Sequence, residues 1–116
     1  MAIVIIKNKL TKEDIKKARG EYPNYIKITA DIFQEIVAIG GEYHADSEKI
    51  LLEEYGSKQK DIWGGGYNIT SNKFEVNALI NLRSAVNDST DILDPEIRNN
   101  FLKLIQKKLS DIQSLV

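Results

Sequence analysis

The amino-acid sequence predicts an α+β fold, a mostly antiparallel sheet of four to five strands with about three helices packed mainly on one face. Three observations predict it. Short β-branched or alternating stretches recur at 2–6, 25–39, 67–70 and 73–83. Two segments, opening at Thr11 and at Asp94, carry helix-start punctuation followed by apolar residues at helical spacing. Short turn signals, Gly40-Gly41 and Ser71-Asn72, separate the extended stretches.

Taken in order, residues 2–6 are apolar and mostly β-branched, which predicts a short strand buried on both faces. Thr11 is the N-cap of the first helix, and Asp14 reaches back to it as in a capping box. Leu10 and Ile15 hold the two staple positions, and Gly20 and Pro23 end the helix. Between 25 and 39 two periods compete. Polar residues at 27, 31, 34 and 35 fit one side of an amphipathic helix. The alternation of Ile26, Ile28, Ala30 and Ile32 with polar neighbours, and the density of Ile, Val and Thr, favour two strands with a turn near Gln34-Glu35.

Gly40-Gly41 breaks that segment, and a helix is expected from Asp46 or Ser47 through Glu54, with Gly56 just past its end. The run Gly64-Gly65-Gly66 reads as a bulge or wide turn. It lacks the spacings of a phosphate-binding loop and leads into a strand, not a helix. Strands are expected at 67–70 and 73–83; Phe74, Val76, Ala78, Ile80 and Leu82 alternate on the second, broken only by Leu79. A polar loop follows, and then Asp94-Pro95 opens the last helix, with Asp as N-cap and Pro where its missing N–H is not needed. Ile97, Phe101, Leu104, Ile105, Leu109 and Ile112 form its apolar stripe, opposite Lys103, Lys107 and Asp111.

The 116 residues, 1–116, are a one-domain length, with 42% apolar and 28% charged residues, as in ordinary globular chains. The formal net charge of −1 lacks the basic excess of a nucleic-acid module or of a segment that docks on anionic lipid. No nucleic acid and no membrane is therefore expected among its partners. The absence of cysteine excludes disulfides, thiolate metal sites and a thiol nucleophile. The opening run from Met1 to Lys7 is too short for a signal-peptide core, so the expected location is the cytoplasm.

The single histidine, His44, lies in the run from Glu42 to Glu48. Were that run extended, Glu42, His44, Asp46 and Glu48 would share one side, and a carboxylate beside an imidazole orients a general base. The competing reading has Asp46 capping the next helix and His44 as a surface residue. A catalytic metal site wants more than one histidine or a tighter carboxylate set, so no metal is predicted and no cofactor is named. Trp63, the sole tryptophan, is either a core residue or a stacking platform. Arg83 is placed to clamp an anion, or to pair with an internal carboxylate such as Asp61 or Asp46. A serine hydrolase is excluded, since no nucleophile elbow exists.

The segments from Gly40 to Glu48, Leu51-Leu52, Gly56 to Gln59, Asp61 to Gly64, Leu79 to Arg83, Asn87, Ser89 and Asp94 to Arg98 resemble a family of small bacterial proteins known only as a domain of unknown function. The family pattern carries Cys where this chain has Ser47, and Pro where it has Ser84; the first departure bears on any thiol-based role. The resemblance implies no activity or cofactor. It does imply that Glu42, His44, Asp46, Gln59, Asp61, Asn81, Arg83 and Asn87 are candidates for one site.

Two functions are expected from this reading. The first is a binding or interaction module, a homodimer or a partner of another protein, that uses the Trp63 region or a sheet edge, with Asp61, Trp63, Asn81, Arg83 and Asn87 as binding residues. The second is a small hydrolase or lyase with His44 as general base, Asp46 or Glu42 orienting it, and Arg83 holding an anion.

Overall fold

The computed structural model describes residues 2–20 and 22–116; Met1, the first residue of the opening apolar run, lies outside them. The elements are β1 (Ile3–Ile6), α1 (Lys12–Arg19), β2 (Tyr25–Asp31), β3 (Ile36–Gly40), α2 (His44–Glu54), β4 (Ile62–Asn68), β5 (Lys73–Glu75), α3 (Pro95–Lys108) and a short α4 (Ile112–Leu115). Single 3₁₀ turns occupy Gln59–Asp61 and Leu79–Asn81. The five strands form one antiparallel sheet in the order β1-β3-β2-β4-β5. An α+β fold with a mostly antiparallel sheet is therefore what the chain adopts.

Local chemistry explains most of the boundaries. At α1 the Asp14 N–H donates to Thr11 Oγ1 (3.1 Å) and the Thr11 N–H donates to Asp14 Oδ2 (3.1 Å), which is the anticipated capping box. At α3, Asp94 Oδ1 accepts from the N–H groups of Glu96 (2.8 Å) and Ile97 (3.2 Å) behind Pro95 at the first turn. Between β2 and β3 the chain reverses where Asp31 Oδ1 accepts from the N–H groups of Phe33 (2.9 Å) and Gln34 (3.0 Å), and Glu35 turns left-handed at φ 58°. The strand reading of 25–39 thus holds over the helical one.

Register sorts the sheet into two faces. Ile28 stands opposite Ile39 and Gly65, and Ala30 opposite Val37 and Trp63, so these residues point the same way. With Ile6, Ile26 and Tyr67 they form the main core, packed against Ile15 and Ala18 of α1, Phe101, Leu104 and Ile105 of α3, and Ile112 of α4. The other face carries Thr29, Ala38, Ile62 and Gly64 beneath α2, whose Ser47 and Leu51 are buried. Three helices therefore share one face and α2 covers the other.

Four expectations need correction. The first strand is an edge of the sheet, and of its residues only Ile6 is buried, because no described residue pairs beyond β1. The strand expected at 73–83 ends at Glu75, since Ala78 to Asn81 leave the ladder for a 3₁₀ turn. The helix expected through Ile112 stops at Lys108 and resumes at Ile112, although its apolar stripe continues across the break. The glycine run is neither bulge nor turn but the middle of β4, an inner strand. A side chain at Gly65 would overlap the Glu75 carbonyl oxygen and crowd the Phe101 ring. One at Gly64 would meet Ala78 Cβ at 2.6 Å and His44 Cδ2 at 3.0 Å. The glycines are there for close approach from both faces.

Candidate functional site

The residues singled out in the sequence fall into separate places. Asn81 and Arg83 take over the free edge of β4 where β5 has already ended. The Gly64 N–H donates to Asn81 Oδ1 (2.8 Å), and Asn81 Nδ2 donates to the carbonyls of Gly64 (2.9 Å) and Thr90 (2.9 Å). One residue pair along, Arg83 Nη2 donates to the Ile62 carbonyl, and Nε donates to the Ile80 carbonyl at 3.1 Å. The guanidinium carbon lies 4.2 Å from the Trp63 ring centroid, a cation–π stack. Burial pushes the Arg83 guanidinium below its ordinary value, with Glu48 opposing the shift; burial likewise raises Glu48, with Arg83 opposing.

Asn87 organises the loop that follows. Its Nδ2 donates to the carbonyls of Asn81 (2.9 Å), Ser89 (2.9 Å) and Asp91 (2.7 Å), and its Oδ1 accepts from the Leu93 N–H (2.9 Å). The backbones of Arg83 and Asn87 bond each other in both directions, at 2.8 and 2.9 Å. A buried asparagine thus staples both ends of an 82–93 loop that would otherwise be loose. That loop leaves Leu82 (52% exposed), Val86 (75%) and Leu93 (58%) in solvent. Leu82, Val86, Arg83 and Ser84 join Gln59, Lys60, Trp63 and Ile97 around a cavity of about 630 Å³. Trp63 itself is only 2% exposed and forms part of the wall, with its indole N–H unpartnered, so it is not a free stacking platform.

His44 belongs to a different cavity. It is the first residue of α2, and its Nε2 donates to the Gly65 carbonyl at 2.7 Å. That bond puts the proton on Nε2 and leaves Nδ1 as the acceptor of the neutral ring. Burial lowers its pKa; the Gly65 carbonyl opposes this and Lys27 adds to it. Asp46 lies in the first turn of the same helix, and its Oδ2 accepts from the Tyr43 N–H (3.3 Å). Glu42 is exposed before the helix.

The general-base arrangement of His44 with Asp46 and Glu42 does not form, because a helix begins at His44 where an extended run would be needed. Arg83 lines the Trp63 cavity and not that of His44. Asp61 ends a 3₁₀ turn and lines a third, small cavity with Asp31 and Lys58. Among the described residues no three His, Asp or Glu side chains gather as a metal site, and no helix is long and apolar enough to cross a membrane.

Lys27, Tyr43 and Leu79, which line the His44 cavity, and Leu82 and Val86 are not among the candidate site residues of the sequence. Leu79 was visible there as the residue that broke the alternation, the mark of a chain leaving its strand.

Sheet, helices and an asparagine-stapled loop define a small α+β protein whose polar residues mostly build its frame. The chain belongs to the family described as Protein of unknown function (DUF5674), whose model matches residues 4–108. No curated protein and no solved structure matches it.

Proposed function

We propose that this protein is an interaction module whose contact surface is the 82–93 loop and the Trp63–Arg83 cavity beneath it. The observation that carries this reading is the pairing of rigidity with exposure. Loops that keep several large apolar side chains in water are usually contact surfaces. A loop fixed beforehand by Asn87 loses little further freedom on binding, so more of the contact energy appears as affinity. A cavity of this size accepts an apolar side chain from a partner protein. Lys60 and Arg83 at its wall favour a partner segment that also carries a carboxylate.

A photo-crosslinking amino acid at Val86 tests this in the native host, with Lys103 as the control position. Both side chains are exposed, and Lys103 lies further along α3, where it lines a separate cavity with Ile32 and Glu35. A discrete adduct from position 86 that is absent from position 103, and is lost on Leu82→Glu, is the expected result. Its mass distinguishes a second copy of the chain from another protein. Equal labelling from both positions, or no adduct at 86, would overturn the reading.

A further inference from the structure

A cavity lies between the start of α2 and the 78–80 turn, on the face of the sheet that α2 covers. Its volume is about 360 Å³, within the range of small-molecule sites. The walls are mostly hydrocarbon, from Tyr43, Ala78, Leu79, Ile80 and part of Lys27. Lys27 contributes its methylene stem, because its ammonium rests 4.4 Å from the centroid of the Tyr22 ring, which is not part of the lining. Leu79 is 78% exposed and Tyr43 62%, so an apolar body laid there would remove surface that is now in water.

Set against this hydrocarbon is the ring of His44. Its Nε2 donates to the Gly65 carbonyl at 2.7 Å, and its Cδ2 lies 3.0 Å from where a Gly64 Cβ would stand. The ring thus turns its Nε2–Cδ2 edge to β4, and Nδ1, the atom opposite that edge, points away from the sheet. Among the described residues Nδ1 has no hydrogen-bond partner, and it is not sealed from solvent. With the proton on Nε2, Nδ1 can only accept. Burial, helped by the Lys27 charge and against the pull of the Gly65 carbonyl, disfavours the imidazolium and keeps the ring in that accepting state.

A ligand that suits this chemistry brings a donor and no charge. An anion would lose its water against apolar walls and face an acceptor nitrogen. A cation would add a second positive charge beside Lys27, with no acidic side chain in the lining.

We propose that this cavity binds a small neutral molecule, an apolar body carrying a hydrogen-bond donor such as a phenol hydroxyl, which donates to His44 Nδ1. The site is separate from the 82–93 surface and does not rest on it.

The test adds naphthol, methoxynaphthalene and naphthoate to the full chain at neutral pH. They share one apolar body, and only naphthol carries a neutral donor. Nitrogen-15 shifts of the backbone amides and of the histidine ring report the site. Naphthol is expected to move the amides of Ala45, Gly64 and Leu79. It should bind at least about fivefold tighter than either other probe, because a body without a donor leaves Nδ1 covered and unpaired. The Nδ1 resonance of His44 should shift with naphthol and not with methoxynaphthalene. Leu79→Glu, at a solvent-facing position, is expected to weaken naphthol binding by a similar factor. The proposal is overturned if methoxynaphthalene or naphthoate binds as tightly as naphthol, or if the amide shifts map elsewhere or do not occur. It is equally overturned if Nδ1 does not respond to naphthol, or if Leu79→Glu leaves the affinity unchanged.

Discussion

The side-chain amide of Asn81 exchanges two hydrogen bonds with the backbone of Gly64, as a residue of a neighbouring strand would. β4 is an inner strand for only part of its length, because β5 pairs with Gly66, Tyr67 and Asn68 and then ends. Beyond that point the open N–H and C=O groups of Gly64 would sit buried without partners. An asparagine side-chain amide presents an N–H and a C=O side by side, as a peptide group does, so it can replace a missing strand. Arg83 does half the same task at the Ile62 carbonyl.

Asn81→Ala should therefore act as a structural lesion. It leaves the Gly64 N–H and C=O and the Thr90 carbonyl short of partners in a fully buried place. The expected loss is about 3 kcal/mol. It would show as a fall in Tm on the order of 10 °C. Asn81→Asp keeps the acceptor but loses the donor and buries a charge, so it should be no milder. Denaturant titration of both variants checks this.

Gly65 and Gly56 separate two reasons for being glycine. At Gly65 an added Cβ would run into the Glu75 backbone, which cannot yield unless β5 lifts from the sheet. Gly65→Ala is expected to cost about 3 kcal/mol or more. At Gly56 there is open space but φ is +65°, so Gly56→Ala should cost only about 1 kcal/mol. Equal losses at the two positions would contradict the close-approach explanation.

What the sequence disclosed follows from the range of the interactions involved. The capping box of Thr11 and Asp14 and the start at Asp94-Pro95 were legible because each is complete within a few residues. The 25–39 hairpin was legible because its alternation persists for a whole strand. The glycine run was misjudged because its causes are distant: Tyr25, His44, Glu75 and Phe101. Asn81, Arg83 and Asn87 stand out in the sequence as candidate binding residues, but the hydrogen bonds they make depend on Gly64, Ile62 and loop carbonyls that no local pattern displays. Placing His44 on an extended run failed by a shift of the helix start to His44 itself, which set Asp46 against the Tyr43 N–H and left Glu42 exposed before the helix. Lys27 joined it from a strand seventeen positions earlier, with no signal to announce the meeting.

Ser47 is fully buried between α2 and the sheet, and its hydroxyl has no partner. Removing that oxygen removes a desolvation cost while opening almost no space. Ser47→Ala is expected to stabilise the protein by about 1 kcal/mol. A rise in Tm with no change in the far-ultraviolet spectrum is the outcome that checks it.

His44 should couple stability to pH. Its proton is held near pH 6.5 in the unfolded chain and more weakly in the fold, because burial disfavours the imidazolium. Between those two values the unfolded state binds more protons, so stability falls as pH is lowered through the window and levels off below it. Glu48 acts in the opposite sense at more acidic pH, since burial raises its pKa in the fold. His44→Gln isolates the first effect: its loss of stability between about pH 7.5 and about pH 5 should be smaller than that of the parent chain. Parallel curves would show that His44 is not the responsible group.

The proposed contact surface separates side chains that touch a partner from the one that holds them in place. Val86→Ala removes apolar surface at a position that is mostly in water, so folding stability should stay within about 0.5 kcal/mol. Its crosslinked or bound partner should nevertheless be reduced. Asn87→Ala keeps every exposed apolar residue but releases the carbonyls of Asn81, Ser89 and Asp91 and the Leu93 N–H. Hydrogen exchange should then quicken at Asn87 and Leu93, while the amides of β2 and β3 keep most of their protection. Binding should weaken too, because the loop would have to be ordered at the moment of contact. Osmolytes that favour compact states should restore part of the affinity of Asn87→Ala and none of that lost in Val86→Ala. If Asn87→Ala loosens the loop in hydrogen exchange and binding is unchanged, preorganisation is not what the asparagine contributes, and the loop's exposed side chains act without it.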